Sequence, residues 1–216
     1  SMPFDSGYAV FNGLKRVIEY INNFHFSKSD IEYLKSIGYQ DDFLNYLKNL
    51  SFTGSIRSMQ EGELCFGNEP LLRVEAPLIQ AQLIETMLLN IVNFHTLITT
   101  KASRIRQVAH DDMLMEFGTR RAQEADAALW GARAAYIGGF NSTSNVRAGK
   151  LFGIPVSGTH AHAMVQTYGD EYIAFKKYAE RHKNCVFLVD TFHTLKSGVP
   201  TAIKVAKELG DTINFI

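Results

Sequence analysis

The chain has 216 residues, of which 46% are hydrophobic and 20% are charged, an ordinary globular composition with enough length for one large or two small domains. Its 22 basic residues equal its 22 acidic residues, which argues against nucleic acid or an anionic membrane surface as the main partner. No apolar run has the length of a membrane span, and the first residues lack the layout of a secretory signal. We therefore expect no nucleic-acid partner and no membrane partner.

The two cysteines, Cys65 and Cys185, are far apart in the sequence and lie inside apolar runs. Reduced cysteine in such a setting behaves as a small buried hydrophobic residue. The cysteine usage therefore predicts a cytoplasmic location.

Residues 1–76 are predicted to form a small helical and short-strand layer that is part of a split α/β domain. The apolar period predicts one helix from Tyr8 to Phe24, a second that is capped by Ser27 or Ser29, and a third over residues 41–50. The short apolar runs 64–66 and 71–74 are separated by Gly67-Asn68-Glu69-Pro70, which predicts a hairpin or neighbouring strands.

Residues 77–110 are predicted to form one long connecting helix. Pro77 suits the first helical position, and the apolar residues that follow spread around more than one face, so we expect a buried helix.

From residue 111 onward the pattern alternates between strand and helix. Strands are predicted at 114–117, 154–157, 186–190 and 212–216, and helices at 122–137, 145–152, 161–182 and 199–209. Repeated strand–helix units predict a parallel sheet, and a parallel strand at the end of the chain needs neighbours that the chain does not supply. We interpret residues 111–216 as the first part of an incomplete β/α barrel.

The loops that follow strand ends build the active site in parallel α/β folds. Thr119, Arg120 and Arg121 follow the first predicted barrel strand and offer a planar, bidentate fork for a carboxylate or a phosphate. A purely structural ion pair between one arginine and Glu116 stays open as the alternative.

Two further loops carry polar groups. Ser144 and Asn145, in the run Asn141-Ser-Thr-Ser-Asn145, could hold a phosphate, although such residues are also common in loops and caps. Asp190 ends an apolar run, where its carboxylate could bind ribose hydroxyls or Mg²⁺, or could cap the next helix.

The segment Ser157-Gly-Thr-His-Ala-His162 places two histidines at a predicted helix start. With Thr159 as the N-cap, His160 and His162 would be the first and third helical residues, where the positive end of the helix dipole disfavours imidazolium. A neutral ring keeps a lone pair for nucleophilic attack, and a phosphoryl group on it would lie near free backbone N–H groups. The segment is suited to a transient phosphohistidine.

Two other interpretations of this histidine pair stay open. Both rings could make ordinary polar contacts, or they could bind a metal, which is less favoured because residues two apart on a helix do not face each other. At most one of the rings can point into a site. We assign no residue as a metal ligand.

Five stretches of the chain closely resemble nicotinate phosphoribosyltransferases, and together they run nearly end to end. The stretches are "PFDSGYAVFNGL" (3–14), "EGELCFGNEPLLRVEAPLIQAQLIET" (61–86), "EFGTRRAQ" (116–123), "AAYIGGFNSTSNVRAGKLFGIPVSGTHAH" (134–162) and "LVDTFHTLKSGVPTAI" (188–203). The third and fourth are specific, whereas a lone Gly-Thr-x-Ala-His would be a weak signal.

The resemblance implies an irregular barrel of the type II phosphoribosyltransferase kind and a glycosyltransfer in NAD biosynthesis. Nicotinate and phosphoribosyl pyrophosphate would give nicotinate mononucleotide and pyrophosphate, with Mg²⁺ as cofactor, ATP hydrolysis coupled as in a ligase, and a homodimer as the assembly. The family's phosphohistidine, the last residue of Gly-Thr-x-Ala-His, is His162 here, and its substrate-binding arginine after Phe-Gly-Thr is Arg120. We assign Thr119, Thr159, Ser144, Asn145 and Asp190 as further substrate-binding residues.

The chain departs from the family pattern in two respects. His193 stands where the family usually has an aspartate, in its Asp-Thr-Tyr-Asp-Thr run, and family members are much longer. We therefore expect these 216 residues alone to be inactive and poorly stable. A non-catalytic remnant of the fold with a structural or oligomerisation role stays open as the alternative function, although the intact Arg120 and His162 oppose it.

Overall fold

The computed structural model describes residues 7–182 and 184–210 and the strand at 214–215. The chain divides into two compact units, Ser1–Val156 and Ser157–Ile216. Within the described residues the fold is mixed α/β and rich in helices, with four two-stranded sheets. The predicted domain boundaries at residues 76 and 110 both lie inside the first unit, and they stay a prediction.

The first unit contains, in chain order, β1 (Ala9–Val10), α1 (Leu14–Asn22), α2 (Lys28–Ser36), α3 (Asp41–Lys48), β2 (Ser55–Ser58), β3 (Leu64–Cys65), β4 (Leu72–Glu75), α4 (Leu78–Ala109), β5 (Met115–Glu116), α5 (Glu124–Ile137), β6 (Ser142–Thr143) and α6 (Val146–Phe152). The second unit contains α7 (His162–Tyr168), α8 (Glu171–Ala179), β7 (Asn184–Cys185), a π-helical turn (Thr194–Gly198), α9 (Val199–Leu209) and β8 (Asn214–Phe215).

The three predicted N-terminal helices are present as α1, α2 and α3. Helix α1 begins only at Leu14 because the preceding residues form β1 and pair with β3. Ser27 caps α2 by accepting a hydrogen bond from Asp30 N, while the Asp30 carboxylate accepts one from Ser27 N. This reciprocal pair is a capping box and fixes the start of the helix.

The predicted hairpin between residues 64–66 and 71–74 is wrong. Strand β3 pairs with β1, and β4 pairs with β2, both antiparallel. The pairing of β3 with β1 buries Cys65 in one apolar cluster with Ala9 and Phe11, and this long-range burial decides the partner.

Helix α4 confirms the long helix, but Pro77 is its N-cap rather than its first residue. One face of α4 packs Ile84, Leu88 and Ile91 against Val17 of α1. Elsewhere the helix exposes apolar side chains, for example 81% of Val108. The expectation of a buried helix therefore holds for one face only. No helix of the described residues is long and apolar enough to cross a membrane.

Glycine lets α4 and α5 approach closely at the end of α5. A Cβ added at Gly138 would lie 2.5 Å from Ala102 Cβ and 2.6 Å from Thr99 O of α4. Gly131, seven residues earlier in α5, has only Phe94 Cζ near such a Cβ, at 3.8 Å. The same substitution should therefore have opposite effects at the two positions.

We expect Gly138→Ala to lower the free energy of unfolding by about 1–3 kcal/mol, because the added methyl group overpacks the contact between the helices. Gly131→Ala, the matched control, should raise it by about 0.5–1 kcal/mol, because alanine favours the helix. Urea unfolding curves measure both values. Equal effects of the two substitutions would contradict the close packing at Gly138.

The second unit differs from its predicted elements at two places. The predicted helix 161–182 is two helices, because Gly169 ends α7 at φ +67° and the Asp170 side chain caps α8 by accepting a hydrogen bond from Ile173 N. The predicted strand 186–190 is also wrong. Strand β7 lies at residues 184–185 and pairs in parallel with β8, whereas Leu188 N donates to a histidine ring, not to a strand.

The remaining predicted βα elements are partly present. Strand β5 lies inside the predicted strand 114–117, and helices α5, α6 and α9 lie where they were predicted. The parallel partner of β5 is β6, in a run that was predicted to be a polar loop. The predicted strand 154–157 is reduced to a single parallel bridge between Val156 and Thr143. Residues 214–215 of the predicted last strand form β8, and residues 211–213 and 216 lie outside the described residues.

Candidate functional site

The arginine loop, defined as residues 118–121, follows strand β5 and ends in a 3₁₀ turn over Thr119–Arg121. The Glu116 carboxylate accepts hydrogen bonds from Thr143 Oγ1, at 2.7 Å, and from Gly118 N. Within the described part of the chain, neither Arg120 nor Arg121 forms an ion pair. The structural pair with Glu116 is therefore not formed, and both exposed guanidinium groups are available to an anion.

The polar run 141–145 lies beside the arginine loop because β6 pairs with β5. Asn145 Oδ1 caps α6 by accepting a hydrogen bond from Ala148 N, at 3.0 Å, and Asn145 Nδ2 lies 3.4 Å from Thr119 Oγ1. Ser144 is exposed, and its N–H donates to Glu116 O. The structure thus brings Thr119, Arg120, Ser144 and Asn145 together, and the capping role left open for Asn145 is also real.

The two histidines of the Gly-Thr-His-Ala-His segment have different environments. Helix α7 begins at His162 with Ala161 as its N-cap, so the prediction that Thr159 caps the helix is wrong. Thr159 Oγ1 instead donates to His160 O, at 2.8 Å. His160 therefore precedes the helix and is not its first residue.

His160 is a core residue. It is 7% exposed, and its ring centroid lies 5.4 Å from that of Phe175 and 4.9 Å from that of Tyr178. Its Nε2 accepts a hydrogen bond from Leu188 N, at 3.1 Å. Burial lowers the pKa of His160, so the ring stays neutral. For this histidine, the ordinary polar contact is the correct interpretation.

His162 is the accessible member of the pair, with 41% of its side chain exposed. Its Nδ1 lies 3.1 Å from Thr191 Oγ1, and its Nε2 lies 3.7 Å from Asp190 Oδ1. A hydroxyl beside one ring nitrogen and a carboxylate beside the other orient the imidazole. Thr191 is not among the site residues predicted from the sequence, and its position directly after Asp190 was the only available signal.

His193, the residue that departs from the family pattern, has a local structural role. Its Nδ1 accepts a hydrogen bond from Lys196 N, at 3.2 Å, so it caps the π-helical turn. An aspartate carboxylate at this position would be the usual type of cap. The imidazole supplies the same acceptor.

Two models of protein families together match most of the chain. Residues 1–93 match the model of the nicotinate phosphoribosyltransferase N-terminal domain, and residues 113–197 match the model of the nicotinate phosphoribosyltransferase family. The chain belongs to the nicotinate phosphoribosyltransferase family. This confirms the resemblance that its motifs indicate.

Comparisons with individual proteins show the same likeness. A nicotinate phosphoribosyltransferase of Bacillus subtilis is 68% identical over 216 residues, which are all of this chain and 44% of that protein. The crystal structure of human nicotinic acid phosphoribosyltransferase superposes with a TM-score of 0.85 at 29% identity, covering 99% of this chain and 53% of that one. The crystal structure of a nicotinate-nucleotide pyrophosphorylase of Pyrococcus furiosus superposes with a TM-score of 0.75 at 26% identity. This match covers 99% of this chain and 47% of that one. The chain thus spans about half the length of the relatives it matches.

Proposed function

We propose that this chain carries the arginine loop and the phosphorylated histidine of a nicotinate phosphoribosyltransferase. Such an enzyme makes nicotinate mononucleotide and pyrophosphate for NAD synthesis. The observation that carries the proposal is His162, an accessible imidazole between Thr191 and Asp190. It ends a Gly-Thr-x-Ala-His motif in a chain that is 68% identical to a nicotinate phosphoribosyltransferase.

The reaction needs groups that hold multiply charged anions. Glycosyl transfer from a pyrophosphate leaving group develops positive charge on the ribose while negative charge leaves, so placement of charge and orientation dominate the rate enhancement. Arg120 offers a bidentate donor for a carboxylate or phosphate, and Thr119, Ser144 and Asn145 add hydroxyl and amide groups beside it. Thr159 and Asp190 are proposed as further substrate contacts in the second unit.

ATP coupling follows from the chemistry of His162. A neutral imidazole nitrogen attacks the γ-phosphorus of ATP, the bond to the bridging oxygen breaks, and ADP leaves. The phosphorylated ring carries added negative charge, which changes the affinity for the anionic substrates. Hydrolysis of the phosphohistidine then returns the neutral ring and couples ATP to the glycosyl transfer.

The residues present fit Mg²⁺ held mainly by substrate phosphates. Mg²⁺ commonly uses one or two carboxylates together with phosphate oxygens, and Asp190 offers one carboxylate, 57% exposed, beside His162. The described residues contain no cluster of three His, Cys, Asp or Glu side chains that could hold a metal. When bound there, the ion would neutralise phosphate charge, and Asp190 would orient it or the ribose hydroxyls.

Several finer features remain part of this proposal. The parallel pairs β5–β6 and β7–β8 are proposed as pieces of the irregular barrel, a homodimer as the assembly, and the cytoplasm as the location. The free, buried thiols of Cys65 and Cys185 suit a reducing compartment. The non-catalytic remnant is the alternative, and His193 no longer favours it, because that residue serves as a cap.

Arg120→Lys tests the anion fork. The experiment uses a completed enzyme, defined as this chain inserted in place of the aligned 216 residues of the Bacillus subtilis relative, with nicotinate mononucleotide as the measured product. Lysine keeps the charge but loses the bidentate geometry, so we expect the KM of nicotinate or phosphoribosyl pyrophosphate to rise at least about tenfold. The control Arg121→Lys should change both KM values less than about threefold.

Two results would oppose the proposal. A completed enzyme that forms no nicotinate mononucleotide would favour the non-catalytic remnant. Equal KM values for Arg120→Lys and the unsubstituted enzyme would remove Arg120 from substrate binding.

A further inference from the structure

A cavity of the first unit lies between α1, α4 and the start of α5. Its volume is about 820 Å³, which is within the size range of small-molecule sites. Its apolar and aromatic lining comes from Tyr20, Met87, Ile91, Phe94 and Trp130. We call it the His95 cavity, because His95 is also part of its lining. None of the residues assigned to nicotinate, phosphoribosyl pyrophosphate or ATP lines it.

His95 supplies an unused hydrogen-bond acceptor. The side chain is 3% exposed, and its Nδ1 lies 2.7 Å from Ile91 O. A carbonyl oxygen only accepts, so Nδ1 carries the proton and Nε2 has the lone pair. Burial lowers the pKa of His95, which keeps the ring in this neutral form.

Nε2 of His95 has no hydrogen-bond partner among the described residues. Leaving a buried polar atom without a partner costs about 1–3 kcal/mol. The neighbouring rings do not provide a partner either, since Phe94 and Trp130 meet the imidazole at centroid distances of 5.4 and 5.5 Å in edge geometries. A ligand with an N–H donor would relieve this cost.

The charged residues of the lining, which we call the acidic mouth, disfavour the binding of an anion. Arg16 lies 5.0 Å from the Trp130 ring and pairs with Asp126, at 3.1 Å, and with Glu19, at 3.5 Å. Glu124, also in the lining, brings the carboxylates to three against one guanidinium. It has φ +81°, a strained conformation of the kind that is concentrated at functional positions.

We propose that the His95 cavity binds a planar aromatic molecule that is uncharged or cationic and carries an N–H donor. The aromatic walls would hold the ring, His95 Nε2 would accept from the donor, and the acidic mouth would exclude carboxylates and phosphates. None of the residues that line it is assigned to the proposed nicotinate reaction, and the substrates of that reaction are anions. Its ligand would therefore regulate or assist the protein and would not be the acceptor of the phosphoribosyl group.

Trp130 is the only tryptophan of the chain, so tryptophan fluorescence reports on this cavity alone. The probes are benzamide, benzamidine and benzoate, three planar rings of similar size that differ in charge and in N–H donors. We expect saturable changes in emission with benzamide and benzamidine, and binding at least about tenfold weaker for benzoate. Benzoate binding as tight as benzamide, or no saturable change with any probe, would overturn the proposal.

Two substitutions probe the mechanism of binding. His95→Phe keeps an aromatic ring but removes the acceptor, so benzamide should bind about tenfold more weakly, which corresponds to one lost hydrogen bond. The control His25→Phe, on the surface outside the cavity, should leave binding unchanged. Unaltered benzamide affinity in His95→Phe would exclude the proposed hydrogen bond.

Asp126→Lys gives a second measurement that does not disturb the core, because Asp126 is 62% exposed. We expect benzamidine affinity to fall about threefold relative to that of benzamide. Unchanged selectivity would exclude the proposed role of the acidic mouth. Failure of these tests would leave the nicotinate reaction untouched, because that reaction is measured by product formation in the completed enzyme.

Discussion

His162→Ala is expected to abolish the incorporation of acid-labile phosphate from labelled ATP in the completed enzyme, in the presence of Mg²⁺. The accessible imidazole between Thr191 and Asp190 is the proposed nucleophile, and alanine provides no lone pair. ATP-stimulated formation of nicotinate mononucleotide should fall by about 10²–10⁴-fold, the range found when a positioned catalytic side chain is removed. Radiolabel counting before and after acid treatment measures the first effect, and product formation measures the second.

The matched control is His25→Ala, which removes an exposed histidine of the first unit and should leave the label unchanged. His160→Ala is not a suitable control, because its ring packs in the core and accepts a hydrogen bond from Leu188 N. Persistence of acid-labile phosphate in His162→Ala would place the phosphohistidine elsewhere. Absence of label in the unsubstituted enzyme would remove ATP coupling through a histidine.

Arg133→Met is expected to lower the free energy of unfolding of the completed enzyme by about 3–5 kcal/mol, because it leaves the largely buried Glu61 carboxylate without its guanidinium partner. Arg133 Nη2 lies 2.6 Å from Glu61 Oε2, and the two side chains are 15% and 16% exposed. Glu61 also accepts hydrogen bonds from Gly13 N and Lys15 N. The pair thus ties the start of α1 to α5, and urea unfolding followed by circular dichroism measures its loss.

The control is the double variant Glu61→Leu/Arg133→Met, which removes both charges and should recover most of the loss. A change of less than about 1 kcal/mol in the single variant would show that the pair behaves like an exposed surface ion pair. That result would contradict its burial.

The ion pair between Glu61 and Arg133 also makes the free energy of unfolding depend on pH, and the direction of this dependence follows from the pKa of Glu61. Burial raises the pKa of Glu61, but the hydrogen bonds from Arg133 and from the backbone of Lys15 and Gly13 outweigh burial and hold the pKa below its ordinary value of 4.5. The contribution of a group with a lowered pKa is complete above that ordinary value and is lost as the pH falls through the folded-state pKa. We expect the difference between unsubstituted chain and Arg133→Met to shrink below about pH 4.5.

Local chemistry in the sequence predicted much of the fold. The Ser27 cap and the helix periods of α1 to α6 and α9 follow from short-range patterns. Strand β6, which pairs in parallel with β5, was not predicted. Errors arose where a distant contact decided the outcome. Strand β3 pairs with β1 because Cys65 is buried with Phe11, and no local signal in residues 60–76 reports that.

The candidate site likewise has some features that the sequence predicted and others that only the folded structure shows. The sequence predicted Arg120, His162 and Asp190 as site residues from their motifs, but it could not tell which of the two histidines is accessible. That choice depends on Phe175 and Tyr178, which pack against His160 from a separate helix. Thr191 beside His162 and the buried pair of Glu61 with Arg133 were missed for the same reason.

By itself, the sequence determined the family, the helical periods and the motifs that contain the proposed site residues, because these depend on neighbouring residues and on recurring local patterns. Only the tertiary structure decided that Glu116 bonds to Thr143 and leaves the arginines available, and that His162 and not His160 is accessible. It also decided that His95 lines a cavity and that its Nε2 has no hydrogen-bond partner among the described residues. Each of these depends on side chains that are far apart in the sequence, and burial and hydrogen-bond satisfaction at such contacts are set only when the chain has folded.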